Sequence, residues 1–259
     1  MTKGRLRSTI GGYHGVLDCL RCRLRGGKGD SMAASRELAQ DKRARAVKLI
    51  ERLDAAMPEA KIELDYTTPL ELVVAVALSA QTTDKRVNMV TPALFKRYPT
   101  AADYAKANPK ELEEYLKTVG LFRNKTKNLI KLGQMLVEKH GGEVPKSRAE
   151  LAELPGVGNK TAGVVAIHLG VETAFPVDTH ILRLSKRLGL STSSDPDEVE
   201  ADLRRVLPEA LWFKAHQLII WHGRRCCDAL RPECHRCVIF ELCPRKGVKK
   251  DKKGEWRPR

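Results

Sequence analysis

The chain has 259 residues, of which 42% are hydrophobic, so it is long enough to bury one large core or two smaller ones. It carries 47 Lys and Arg against 32 Asp and Glu, a formal net charge of +15 that predicts a polyanionic partner, with nucleic acid as the first choice. No segment has the roughly 18 uninterrupted apolar residues of a membrane span, and no signal-peptide core is apparent, so we expect no membrane partner and a cytoplasmic location at the nucleoid.

The N-terminal residues 1–32 are rich in Gly and Arg and show no sustained periodicity. They are predicted to form a disordered basic extension, with a translation start placed upstream of the natural Met32 as the alternative interpretation. Cys19 and Cys22 lie in this stretch without a second pair nearby, and we expect them to be free thiols.

Helical spacing of apolar residues dominates from about residue 35 to residue 222, with recognisable start and stop signals. The stretch "TTPLELVVAVALSAQTTD" places Thr68 and Pro69 at a helix start and is apolar almost all round, as expected for a central buried helix. Further helices are predicted within residues 108–120, 124–142, 193–207 and 208–223. Because no convincing alternating strand pattern is present, the fold class is predicted to be all-α.

A glycine turn, "LPGVGNKT", precedes one of these helices. A nucleotide phosphate loop needs Gly directly before its Lys and a buried strand before the loop. Here Asn159 precedes the lysine, and the capping-box pair Ser147 and Glu150 predicts a helix in place of the strand.

The turn is therefore predicted to be part of a helix-hairpin-helix unit at about residues 147–170. Gly156 and Gly158 permit positive φ and leave room for close approach, so N–H groups at the start of the second helix can bind a DNA phosphate without reading sequence. An ordinary αα-hairpin without a ligand is the alternative interpretation.

Lys160 lies at the start of that second helix. The positive end of the helix dipole favours the neutral amine, which is the nucleophilic form; a solvated phosphate contact is the alternative role.

In "PVDTH", Asp178 precedes an apolar helix and is predicted to be its N-cap. The same carboxylate suits the stabilisation of a developing cation or the transfer of a proton, provided that one of its oxygens stays free.

A cysteine window near the C-terminus contains four thiols separated by six, two and five residues: Cys227, Cys234, Cys237 and Cys243. Zinc ribbons usually have two Cys-x-x-Cys pairs and only one is present here, so the spacing favours one [4Fe-4S] cluster over zinc or free thiols. Cys226 is left over, although it could compete with Cys227 as a ligand.

The C-terminal residues 246–259 form a charge-dense basic tail. We expect it to be mobile, either as a solvated tail or as a non-specific phosphate-binding arm.

Three motifs in this order, "LPGVGNKTA", "PVDTH" and the cysteine spacing, resemble the endonuclease III family of the helix-hairpin-helix superfamily. The resemblance covers roughly residues 35–245. It implies a two-lobed all-α fold, with a six-helix barrel lobe formed by residues 62–172 and an iron-sulfur cluster lobe formed by residues 33–61 plus 173–245.

The resemblance also implies roles for individual residues. Lys160 and Asp178 correspond to the catalytic pair, facing each other across the cleft between the lobes. Gln81 corresponds to the residue that fills the space left by a flipped nucleotide, and Leu121 to a wedge toward the opposite strand. Further DNA contacts are implied for Gly156, Val157, Gly158 and His180.

The activity implied by the resemblance is base-excision repair. A monomeric bifunctional DNA glycosylase and AP lyase would remove oxidised pyrimidines of the thymine glycol type from double-stranded DNA, through a lysine Schiff base and β-elimination 3′ to the lesion, without a catalytic divalent metal. Mismatch or pyrimidine-dimer glycosylase activity, or a non-catalytic DNA-binding iron-sulfur module, remain as alternatives. Asn159 departs from the family, in which a basic residue is frequent at this position, and this predicts a weaker phosphate contact.

Overall fold

The structure of the protein is a computed structural model that describes the backbone of residues 30–258. The extension predicted for residues 1–32 therefore lies almost wholly outside the described residues, as do Cys19 and Cys22. The first helix begins at Asp30, so the predicted boundary at residue 32 falls inside a helix.

The described residues are mainly helical, which confirms the predicted fold class. The α-helices are α1 (Asp30–Ala56), α2 (Pro69–Ser79), α3 (Asp84–Arg97), α4 (Ala101–Ala105), α5 (Pro109–Leu116), α6 (Phe122–His140), α7 (Arg148–Glu153), α8 (Asn159–His168), α9 (Thr179–Arg187), α10 (Pro196–Val206) and α11 (Trp212–Arg225). Two short 3-10 helices lie at Glu209–Leu211 and Cys234–Arg236. No helix in this part of the chain is long and apolar enough to cross a membrane.

Local sequence signals explain where the central helix begins and why it is buried. The Thr68 side chain accepts a hydrogen bond from the Glu71 N–H, and the Glu71 carboxylate accepts one from the Thr68 N–H, which forms a capping box. Every residue from Leu72 to Leu78 is buried, so α2 passes through the core as its apolar sequence predicts.

Two hydrophobic cores divide the molecule into two lobes, as predicted. The first core is built from residues between Leu64 and Ala166. The second joins the α1 residues from Ala46 to Leu53 to residues between Phe175 and Ile239. The predicted lobe boundaries at residues 61/62 and 172/173 stay predictions.

Helices α4 and α6 approach each other closely at Gly133. A Cβ atom at this position would lie 2.6 Å from the Ala105 backbone nitrogen and 2.7 Å from the Ala101 carbonyl oxygen. Since these are backbone atoms of another helix, only glycine allows this packing.

The C-terminal tail differs from the mobile segment that we expected. Val248–Lys250 (β1) pairs antiparallel with Trp256–Pro258 (β2), and the Trp256 ring contacts Phe240 edge-on with centroids 6.0 Å apart. The prediction failed because strands of three residues are too short to show an alternating pattern.

Candidate active site

A cavity of about 810 Å³ opens where both lobes supply lining residues. Its walls include the start of α8, the start of α9, the end of α2 and the inner face of α11. Lys160 and Asp178 both line it, so the fold brings together two residues that are 18 positions apart in sequence.

Lys160 is the second residue of α8, after the N-cap Gly158. Its side chain is exposed and donates no hydrogen bond to any described residue. The N-terminus of α8 has no side-chain cap either, so its first N–H groups are left to bind an anionic partner beside Lys160.

Asp178 is the N-cap of α9, as predicted. Its Oδ1 accepts a hydrogen bond from the Ile181 N–H at 2.7 Å. Within the described part of the chain, Oδ2 accepts none. The capping role therefore leaves one carboxylate oxygen free in the cavity. A free oxygen is what Asp178 would need to stabilise a cation or transfer a proton.

His216 on α11 lines the same cavity and is 2% exposed. Neither ring nitrogen makes a well-formed hydrogen bond with a described residue, although the Pro176 backbone lies close enough to raise the pKa of the ring. Burial is the largest influence and lowers the pKa of His216 to about 4, against an opposing effect of Asp178. The ring is therefore neutral at pH 7.

A second histidine on the cavity wall is fixed by its neighbours. The His168 Nδ1 lies 2.7 Å from the Val164 carbonyl oxygen, to which it donates. Its Nε2 lies 2.8 Å from the Gln217 amide nitrogen and accepts from it. His180, the residue of "PVDTH" predicted to contact DNA, also lines the cavity, and burial lowers its pKa.

The turn between α7 and α8 uses its two glycines differently. Gly156 adopts φ +84°, the left-handed region, whereas Gly158 is extended at φ −78°. Both glycines permit positive φ, as the sequence predicted, and only Gly156 adopts it. A Cβ at Gly158 would meet no atom within 4 Å, so this glycine leaves space open above the helix N-terminus. Val157 is 3% exposed, and its N–H donates to the Leu154 carbonyl oxygen at 2.9 Å, so neither its side chain nor its N–H is free for a ligand in this conformation.

Arg148 lies beside Asn159, the position at which the family frequently has a basic residue. Its Nε donates to the Asn159 Oδ1 at 3.2 Å, and its Nη1 lies 3.6 Å from Glu172 Oε1. The asparagine therefore holds a guanidinium beside the turn.

Gln81 and Leu121 lie in neighbouring turns. Both have φ 56°, an uncommon conformation for residues other than glycine. A Cβ at Gly120 would lie 3.1 Å from the Gln81 carbonyl oxygen, and both residues line a second cavity of about 250 Å³. Leu121 is 58% exposed, as a wedge residue must be.

The cysteine window follows α11. Burial, and after it the sulfurs of Cys227, Cys237 and Cys243, raise the pKa of Cys234 to about 11. The sulfur atoms of all four predicted ligands therefore lie near one another. A tighter group of His222, Cys226 and Cys237 also has its ligand atoms within 4.8 Å of one another, so this lobe holds a cysteine group able to bind metal.

Arg187, which is 6% exposed, binds the loop between the first two predicted ligands. It donates to the carbonyl oxygens of Asp228 at 2.6 Å and Ala229 at 2.7 Å. It also lies 3.4 Å from the Cys227 sulfur. A buried guanidinium at this position favours a thiolate.

Comparisons with known proteins agree with this geometry. Residues 74–209 match the model of the HhH-GPD superfamily of base excision DNA repair proteins. The chain is 47% identical to endonuclease III of Bacillus subtilis over 207 residues, which are 79% of this chain and 94% of that protein. It is 46% identical to endonuclease III of Synechocystis over 204 residues, 78% of this chain and 93% of that protein. The chain belongs to the endonuclease III family.

Membership of the endonuclease III family makes the protein a base-excision repair enzyme with DNA glycosylase and AP lyase activity, and it confirms the helix-hairpin-helix fold. A solved structure of a trapped covalent intermediate of endonuclease III with DNA superposes with a TM-score of 0.74 at 41% identity, covering 78% of this chain and 96% of that chain. A thermostable thymine-DNA glycosylase shares the fold, with a TM-score of 0.68 at 20% identity.

Some buried polar residues near the cavity and the cysteine window were not predicted from the sequence, and the site residues that were predicted from it stay predictions. His216 and Arg187 lie on helices with ordinary apolar periodicity, where a polar residue carries no local signal. A third missed residue is Lys125, which is buried in the first turns of α6. The contacts of these side chains are with residues distant in sequence, so a local pattern cannot reveal them.

Proposed function

We propose that Lys160 is the nucleophile with which this enzyme releases oxidised pyrimidines, of the thymine glycol type, from double-stranded DNA at the nucleoid. The observation that carries the proposal is the shared cavity, in which an unpaired lysine, a carboxylate with a free oxygen and a neutral histidine lie together. Its volume of about 810 Å³ is within the range of sites that enclose small organic groups.

Access to a base requires its extrusion from the duplex, which costs a few kcal/mol and is least costly for a poorly stacked, damaged base. Gly158 and the free N–H groups of α8 would bind a phosphate near the lesion. The Gln81 side chain would occupy the space that the extruded nucleotide leaves, while the exposed Leu121 would separate the opposite strand.

The chemical steps then follow from the residue types. The Lys160 amine attacks C1′ of the sugar, the C1′–N bond breaks and the damaged base leaves with its electron pair and a proton. Opening of the sugar ring gives an iminium ion between Lys160 and C1′. Loss of a C2′ proton expels the 3′ phosphate, and water finally hydrolyses the adduct to free the lysine.

Asp178 and His216 would assist these steps through charge stabilisation and hydrogen bonding. The free oxygen of Asp178 stabilises the positive charge that develops on the sugar. The neutral His216 ring can donate one hydrogen bond and accept another at the cavity wall, because burial keeps it unprotonated at pH 7. None of these steps needs a divalent metal.

The cysteine group fits the predicted [4Fe-4S] cluster. Cys227, Cys234, Cys237 and Cys243 interact electrostatically with one another, and four thiolates are the donor set of such a cluster. The Cys226 sulfur instead donates to the Glu233 carbonyl at 3.7 Å. When bound, the cluster would cross-link the loops that follow α11 and so make this basic segment rigid.

Borohydride trapping tests the nucleophile. Wild type and Lys160→Gln are mixed with duplexes that carry thymine glycol or an abasic site, and sodium borohydride is added to reduce any Schiff base. We expect a covalent adduct with wild type on both duplexes and none with the variant. Lys131→Gln, which removes a charge from an exposed position of α6, is the matched control and should trap as wild type does.

Other outcomes would favour the remaining activities. A wild-type enzyme that releases the base but forms no adduct is a monofunctional glycosylase, and release from a mismatch or a pyrimidine dimer in preference to thymine glycol would change the substrate. Binding of both duplexes without any reaction would leave a DNA-binding module.

Iron content and visible absorbance test the ligand set independently of activity. Cys237→Ser should lose iron, whereas Cys226→Ser should retain it. Equal loss in both variants would place Cys226 among the ligands and contradict the proposed set.

A further inference from the structure

Lys125 is a buried lysine in the first turns of α6, with 7% of its surface exposed. Its Nζ donates to the Leu78 carbonyl at 2.8 Å, the Ala80 carbonyl at 2.6 Å and the Thr82 hydroxyl at 2.9 Å. The three donors of the ammonium group are thus matched by three oxygens. A buried cation needs such partners, and all of them belong to one distant segment, the end of α2.

That segment lacks the residue that usually ends a helix. The last carbonyls of a helix have no partner within it, and the common solution is a glycine in the left-handed conformation just after the C-cap. In α2 the C-cap is Ala80, and the next residue, with φ 56°, is Gln81. Lys125 binds the free carbonyls instead, and its charge is favourable at a helix C-terminus.

A left-handed residue with a side chain is strained and persists only where its surroundings hold it in place. Leu121 shares this conformation and is joined to Lys125, because the Lys125 N–H donates to the Leu121 carbonyl at 3.1 Å. The adjacent Gly120 packs so closely that a Cβ there would lie 3.1 Å from the Gln81 carbonyl oxygen. One residue therefore connects both strained turns.

We propose that Lys125 is a positioning residue that holds the turns of Gln81 and Leu121 in register for their entry into the DNA duplex. This inference rests on the proposed function, in which these two residues replace the extruded nucleotide and separate the opposite strand. Lys125 itself is enclosed by protein oxygens and acts through the two turns. Its contribution is to allow a long polar side chain at a position that helix geometry otherwise reserves for glycine.

The role predicts that loss of Lys125 impairs base extrusion more than the chemistry at the sugar. Without its donors, the Gln81 turn would populate other conformations, and the fraction of molecules ready to insert would fall. A preformed abasic site has no base to extrude, so reaction there should depend less on the turn. A residue that only supported the fold would affect both reactions alike.

The test compares Lys125→Met with Lys131→Met, which removes the same charge from an exposed position of α6. The first readout is the fluorescence of 2-aminopurine placed opposite an uncleavable abasic analogue, which reports unstacking of the base by the inserted residues. The second is single-turnover base release from a thymine glycol duplex, and the third is borohydride trapping on a preformed abasic site.

For Lys125→Met we expect most of the fluorescence change to be lost and base release to fall about tenfold, or about 1.4 kcal/mol. Trapping on the abasic site should fall less than about threefold. Gln81→Ala should reproduce this pattern, and Lys131→Met should match wild type. An unchanged fluorescence signal in Lys125→Met, or an equal loss in base release and trapping, would overturn the inference.

Thr82→Val provides a second variant if Lys125→Met does not fold. It removes one of the three acceptors and leaves the lysine in place, so a smaller loss of fluorescence and base release is expected, and no loss would overturn the inference. If wild type bound DNA but released no base and formed no adduct, the proposed function would fail. The fluorescence comparison between the variants would still decide the role of Lys125.

Discussion

Two regions of the molecule, the large cavity and the end of α2, use the same kinds of side chain in opposite ways. In the large cavity, Lys160 is exposed, Asp178 keeps one oxygen free, and the ring nitrogens of His216 are unpaired among the described residues. At the end of α2, every donor of Lys125 is used. Groups with unused hydrogen-bonding capacity can react, whereas groups with none left can only hold a conformation.

The comparison predicts that Asp178 affects activity without affecting stability. Asp178→Asn should lower single-turnover base release by about 10²-fold to 10³-fold, because the neutral amide no longer stabilises positive charge on the sugar. The unfolding temperature should stay the same, since Asn is as good an N-cap as Asp. Calorimetry together with base release checks both, and an active Asp178→Asn enzyme would remove the carboxylate from the mechanism.

The second region should show the reverse balance. Lys125→Met should lower the free energy of unfolding by about 2–3 kcal/mol, because it leaves buried oxygens without donors. Lys160→Met should change it by less than about 0.5 kcal/mol, as expected for an exposed side chain. Urea titration of both variants measures the difference, and similar values would mean that the two lysines do not differ as their contacts indicate.

His216 predicts how stability depends on pH. Its pKa is about 4 in the folded protein and about 6.5 in the unfolded chain, so the unfolded state binds more protons between these values. Stability is therefore lost as the pH falls through this window, by about 2 kcal/mol between pH 7 and pH 5 for this one group.

The matched variants for this prediction are His216→Leu and His140→Leu, the latter at the end of α6. We expect a flatter dependence of the unfolding temperature on pH in His216→Leu and an unchanged dependence in His140→Leu. If His216→Leu retained the full wild-type slope, other groups would be responsible for acid sensitivity.

The glycine turn gives the smallest expected effect. Gly158→Ala should weaken affinity for undamaged duplex by about tenfold, the equivalent of one lost charge-assisted hydrogen bond, because the methyl group would occupy the space open to a phosphate. Gly156→Ala should mainly lower stability, since φ is +84° and the new Cβ would lie 3.0 Å from Asn128. Filter binding and thermal unfolding separate the two, and equal affinities for wild type and Gly158→Ala would exclude that phosphate position.

Local signals in the sequence determined much of this protein. Helix starts such as those at Thr68 and Asp178, the glycine turn and the four-cysteine spacing each depend on residues a few positions apart, and they predicted the helical fold and the pair Lys160 and Asp178. The two C-terminal strands were not predicted, because strands of this length are too short to show an alternating pattern.

Only the tertiary structure decided the roles of side chains whose partners are distant in sequence. The oxygens that bind Lys125 lie 43 to 47 residues away, and those that bind Arg187 lie 41 and 42 residues away. The buried ring of His216 likewise contacts a residue distant in sequence, Phe175, edge-on with centroids 5.9 Å apart. Such roles depend on which segments pack together, and that is set by burial over the whole chain, which no local pattern records.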